Sequence, residues 1–212
     1  MQPAFFISNN RILPVVGLGA WLMASGMGMM KLMKYSQTPA DKLEPPHRWP
    51  DDCAIAPKAG LPVLLMFVHP HCPCSRASMA ELAILMRHCQ DLVSTHVLFV
   101  RAPGLGDAWE KTNLWDSAED IPQVQVQCDV DGNEARRFGA TTSGSVLLYD
   151  KNRRLAFAGG ITSGRGHSGD NAGRTAITSM LKEKGSGILG TAVFGCELFS
   201  ASEMEAPCCR HK

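Results

Sequence analysis

The chain has 212 residues, 45% of them hydrophobic, enough for one ordinary domain with a sizeable core plus extra segments. A formal net charge of +1 excludes a strongly basic nucleic-acid surface, so no nucleic-acid partner is expected. Eight cysteines in a chain this long do not make a disulfide scaffold, and their number alone leaves the redox compartment open.

Ile12 to Met30 carries no charge and is rich in Leu, Val, Met and Ala, with Arg11 before it and Lys31 and Lys34 after it. At the helical rise this length spans a bilayer core of about 30 Å. Pro14 and the glycines within it are tolerated in membrane helices. A single-pass anchor is expected over residues 1–34. A cleaved signal peptide competes with it, Ala24-Ser25-Gly26 being a poor cleavage site, and a buried core helix is the third option. The flanking charges do not set an orientation. Residues 35–58 hold Pro39, Pro45, Pro46, Pro50 and Pro57 and read as a linker, with Trp49 able to pack on the domain that follows.

That domain is expected over residues 59–184. Pro62 to Val68 is an unbroken apolar run, the pattern of a strand buried on both faces. Ser75 to Cys89 places Met79, Leu82, Ala83, Leu85 and Met86 at helical spacing. Between them lies His69-Pro70-His71-Cys72-Pro73-Cys74. Two cysteines thus sit where a strand turns into a helix, whose unpaired N–H groups and partial positive charge favour thiolate over thiol. Strands follow at Thr95 to Val100 and Val124 to Cys128, with a short helix between Ala108 and Ala118 carrying Trp109 and Trp115 on one side. A second short helix spans Glu134 to Phe138. Ser145 to Asp150 and Leu155 to Ala158 form a hairpin. Gly159 to Gly169 reads as a surface loop. Asp170 or Asn171 caps a last helix running to about Lys184. Residues 185–212 read as a tail containing Cys196, Cys208 and Cys209, with Cys196 in an apolar context that can dock on the domain.

The block from Leu61 to about Leu181 resembles the thioredoxin-like superfamily, in which a buried strand ends in Cys-x-x-Cys at a helix start. The resemblance implies an α/β fold, a central mixed sheet flanked by helices. It places Cys72 on the attacking cysteine, nearer solvent, and Cys74 on the resolving one, with one residue deleted between them. It places Gly144 where the family carries a cis-proline, so Ser143, Gly144 and Ser145 would form the substrate loop. Likeness to membrane-tethered bacterial members implies a thiol domain outside the cytoplasm, in a periplasm, acting on protein thiols or disulfides without a cofactor.

A strained Cys-x-Cys disulfide leans towards oxidising or isomerising activity. The alternative is copper or zinc held by a subset of His69, His71, Cys72, Cys74 and the distant His167, a soft-thiolate and imidazole set that suits either metal. A third reading is a non-catalytic interaction domain. A peroxidase is set aside because position 69 is His and no Thr-x-x-Cys is present.

Overall fold

The computed structural model describes residues 12–40, 43–106, 108–185 and 187–199. It divides into two units, Met1–Ser36 and Gln37–Lys212. The first contains helix α1, Ile12–Gln37. Its apolar stretch reaches a mean hydropathy of 1.4, and by length and composition it can cross a membrane, a test that a signal sequence also passes. The helix runs past the expected end at Met30 because no breaker occurs before Pro39.

The second unit is a five-stranded mixed sheet in the order β3-β2-β1-β4-β5. Its elements in chain order are β1 (Val63–Val68), α2 (Ser75–Cys89), β2 (Ser94–Arg101), α3 (Asn113–Glu119), β3 (Val124–Val130), α4 (Asn133–Arg137), β4 (Ser145–Tyr149), β5 (Leu155–Gly159) and α5 (Ala172–Leu181). β1 lies at the centre, parallel to β2 and antiparallel to β4. Its six residues are all buried, so it reads as one apolar run. Alternate side chains feed two cores. Leu64, Met66 and Val68 pack under α2, α3 and α5, while Val63, Leu65 and Phe67 face the opposite side. Polar groups buried on β2 are satisfied locally: His96 meets Ser94 Oγ at 3.2 Å and Gln127 Nε2 at 2.9 Å. Burial pushes its imidazole down to about 4, so it is neutral.

The opposite face corrects two expectations. It carries only the short α4, and its remaining cover comes from irregular chain. Leu43, Trp49 and Ile55, from the expected linker, join its core with Leu198 and Phe199, from the expected tail. Trp49 stands edge-on to Phe138 and Tyr149, at 5.1 and 5.3 Å between ring centroids. The Tyr149 hydroxyl donates to the Pro46 carbonyl. Residues 43–55 are therefore part of the domain rather than a spacer, and residues 189–199 form a strap across it. Cys208 and Cys209 lie outside the described residues.

Two smaller differences follow from packing. α3 begins at Asn113 and buries Trp115, whereas Trp109 precedes the helix and is half-buried. The Gly-rich loop is exposed only in its outer half. Ile161 is fully buried, and the Gly160 carbonyl accepts from Thr191 Oγ1 of the strap at 2.7 Å. Asn171 caps α5, its side chain accepting from the Arg174 N–H. Glu81, fully buried on α2, accepts from Asn171 and pairs with Arg174, tying this loop to the α2 face.

Candidate functional site

β1 ends at Val68 in the middle of the sheet, so the segment after it emerges at the carboxyl end of the central strand and leads into α2. A tight turn closes there, the Cys72 N–H donating to the His69 carbonyl at 3.1 Å. The Ser75 N–H then donates to Cys72 and the Ala77 N–H to Cys74, which occupies the cap position of α2 in a helical conformation. Cys72 is only 3% exposed and Cys74 is half-buried. The expected order of exposure is thus reversed. The strap is the reason: its Cys196 Sγ lies 3.0 Å from Cys72 Sγ. The sulfurs of Cys72, Cys74 and Cys196 all lie within 4.8 Å of one another.

The strap reaches this point as irregular chain that makes one isolated bridge to the loop before β4. Thr142 and Glu197 form an antiparallel bridge. The Ser143 N–H donates to the Cys196 carbonyl and the Leu198 N–H to the Thr141 carbonyl, each at 2.8 Å. The approach is close enough to require glycine at 195, since a Cβ there would stand 1.8 Å from the Ser143 carbonyl oxygen. The Arg165 guanidinium, from the Gly-rich loop, donates to the Gly195 carbonyl.

The charges of the three thiols diverge. Burial pushes the Cys72 thiol up, but hydrogen bonds from the side chains and backbones of Cys196 and Ser75 outweigh it and hold the group below the ordinary thiol range. Burial, and then the negative charge of Cys72, push Cys74 up. Cys196 is raised by burial and by its bond to Cys72, with Arg165 opposing. The shifts make Cys72 the first of the three to ionise, its thiolate then accepting from the Cys196 thiol.

His69 and His71 do not join the sulfurs. They pack against Trp109 instead, His69 edge-on and His71 tilted, at 5.4 and 4.7 Å between ring centroids. His69 Nδ1 accepts from the His71 N–H, and burial and then His71 push its imidazole down. His167 is exposed, its ring beside the Arg165 carbonyl. On the other side of Cys72 a cleft of about 430 Å³ opens between Pro70, His71, Pro73, Arg76 and Thr112.

No protein-family model and no curated protein matches the sequence. Solved structures do. A hypothetical protein from Sinorhizobium meliloti 1021 aligns over 77% of this chain and 99% of its own, with a TM-score of 0.57 at 18% identity. An uncharacterised conserved protein from Geobacillus kaustophilus aligns over 78% and 94%, with a TM-score of 0.56 at 16% identity. A thioredoxin-like protein in its oxidised form aligns over 72% and 99%, with a TM-score of 0.45 at 14% identity.

The mixed five-stranded sheet with flanking helices, in the order β3-β2-β1-β4-β5, fits a thioredoxin-like fold. In this thioredoxin-like sheet the loop facing the cysteines is Thr142-Ser143-Gly144-Ser145, and no peptide bond among the described residues is cis. Gly144 has φ +88° and donates its N–H to the Phe67 carbonyl at 2.8 Å. A proline has neither that angle nor that donor, so the loop is held here by a backbone hydrogen bond. Ser143 Oγ accepts from the His69 N–H at 2.7 Å and lies 2.6 Å from Ser75 Oγ. Ser143, Gly144 and Ser145 are all buried, and the strap pairs with the backbone of Ser143. Sequence reasoning placed Cys196 in a tail. Its signal was the apolar Val193-Phe194-Gly195 ahead of it, which marks a segment that docks.

Proposed function

We propose that the protein exchanges thiols and disulfides with protein partners through Cys72. The observation that carries this is a buried sulfur at the start of α2, with two further thiols within 4.8 Å and hydrogen bonds that favour its thiolate. The Cys72 thiolate attacks one sulfur of a partner disulfide that enters by the cleft. A Cys72–partner mixed disulfide forms, and the partner's other sulfur leaves as a thiolate. A second thiol of the site then attacks Cys72 Sγ, releases the partner in reduced form and leaves an internal disulfide. Two electrons pass from the protein to the partner, and the reverse sequence oxidises a dithiol partner.

The helix α1 supports a single-pass, membrane-anchored form, and an extracytoplasmic thiol domain rests on the likeness to membrane-tethered bacterial members alone. The test is reduction of insulin disulfides by the full-length protein in detergent with dithiothreitol. Cys72→Ser removes the activity, and a rate for that variant equal to wild type overturns the reading.

The same three sulfurs favour one second reading, a soft metal ion such as copper(I) or zinc held by thiolates. Zinc prefers four ligands, and the sulfur cluster supplies three. Copper(I) titration against a chelating competitor tests it. Metal binding that survives the His69→Ala, His71→Ala double variant and is lost in Cys196→Ala supports a thiolate site. Absence of stoichiometric binding removes it.

A further inference from the structure

We propose that Cys196 is the thiol that resolves Cys72, so that the oxidised protein carries a Cys72–Cys196 disulfide joining the C-terminal strap to the start of α2. The inference rests on exchange at Cys72, argued above, and assigns its second cysteine.

Three observations favour Cys196 over Cys74. The first is distance: the Cys196 and Cys72 sulfurs already stand 3.0 Å apart, and closing to a bond needs a shift of about 1 Å. The second is direction. Cys72 and Cys74 are two positions apart in a turn that runs straight into α2, so although their sulfurs lie within 4.8 Å a bond between them closes a short ring through Pro73. A bond between them has to distort the turn, whereas Cys196 approaches from a separate segment.

The third is how the strap is held. Its backbone pairs with Thr141–Ser143, Gly195 permits the contact, and Arg165 fixes the Gly195 carbonyl. Leu198 and Phe199, buried just beyond, anchor it in the core. The strap thus presents a sulfur to Cys72 as an extended peptide added to a sheet edge presents its side chains.

The proton also favours this order. While Cys72 is a thiolate, burial, and then its hydrogen bond and charge, keep the proton on Cys196. Once Cys72 is bonded to a partner it has no charge, and those last two effects vanish. Burial still holds the Cys196 thiol up, but Arg165 then acts on it with less opposition, so its proton is easier to remove than while Cys72 is charged. Its proton goes to the departing partner thiolate. Cys196 Sγ bonds to Cys72 Sγ, the Cys72–partner bond breaks, and the partner leaves as a thiol.

Full-length protein in detergent is oxidised with glutathione disulfide, blocked with N-ethylmaleimide, digested and mapped by mass spectrometry. The expected product links the Cys72 and Cys196 peptides. A Cys72–Cys74 bridge as the main product overturns the proposal, and no variant is needed to see it. Kinetically, a glutathione mixed disulfide at Cys72 resolves at the wild-type rate in Cys74→Ser. It resolves about 100-fold more slowly in Cys196→Ser, which has lost a positioned intramolecular thiol. The reverse ranking also overturns the proposal. Failure of the exchange reading looks different: a Cys72–Cys196 bridge forms, yet insulin is not reduced.

Discussion

The sulfurs of Cys72 and Cys196 lie 3.0 Å apart although 124 positions separate them along the chain. One sits at the end of the central strand of the sheet, the other on a strap that crosses back from beyond the last helix. Each alters the other's proton affinity, Cys72 downward and Cys196 upward.

That coupling predicts a pH signature. In wild type, alkylation of Cys72 by iodoacetamide sets in at lower pH than for an ordinary thiol. Cys196→Ala removes the side-chain hydrogen bond from Cys196 that helps lower it, so the midpoint moves to higher pH. Because the folded value is depressed, the Cys72 thiolate adds stability above the unfolded thiol's pKa. That stability is lost as pH falls through the folded value. Alkylation followed residue by residue with mass spectrometry reads the midpoint, and an unchanged midpoint in Cys196→Ala refutes the coupling.

Gly195→Ala tests the seat of the strap. Its new methyl group would meet the Ser143 carbonyl oxygen at 1.8 Å, and neither backbone can yield without breaking the Ser143–Cys196 hydrogen bond. Denaturant unfolding should show a loss of about 1–3 kcal/mol, the usual range for overpacking. Cys72 should become more exposed and titrate closer to an ordinary thiol. A variant as stable as wild type would mean that the strap is not seated on this loop.

Gly144→Pro restores the residue type expected of the superfamily and should nevertheless harm the protein. At φ +88°, with its N–H donated to Phe67, the position is incompatible with proline. The expected cost is more than about 1 kcal/mol. Thermal unfolding measures it. A stabilised variant would show that the loop can adopt the family's usual conformation.

Trp49→Ala addresses the cover on the second face of the sheet. The indole is half-buried against Phe138 and Tyr149, so the loss should fall near the lower end of the range for large aromatic truncations, about 3 kcal/mol. Equilibrium denaturation would register it. No change would mean that residues 43–55 are the detached linker their proline content suggests.

The sequence by itself determined the elements whose chemistry is local. The apolar run into β1 and the helical spacing from Ser75 to Cys89 mark a strand and a helix because burial on one or two faces imposes a period on the residues themselves. The position of Cys72 and Cys74 at that junction was legible for the same reason, as was the apolar character of α1, though not its end at Gln37.

Tertiary structure decided what lies over them. Residues 43–55 and 189–199 carry no period, because irregular chain buries single anchors such as Trp49, Leu198 and Phe199 rather than a repeating face. Their prolines and glycines therefore read as linker and tail. The pairing of Cys196 with Cys72 is a contact across most of the domain. Nothing near either cysteine encodes it, since it arises from backbone pairing between the Thr141–Ser143 loop and the strap, and backbone hydrogen bonds leave almost no mark on side-chain identity beyond Gly195.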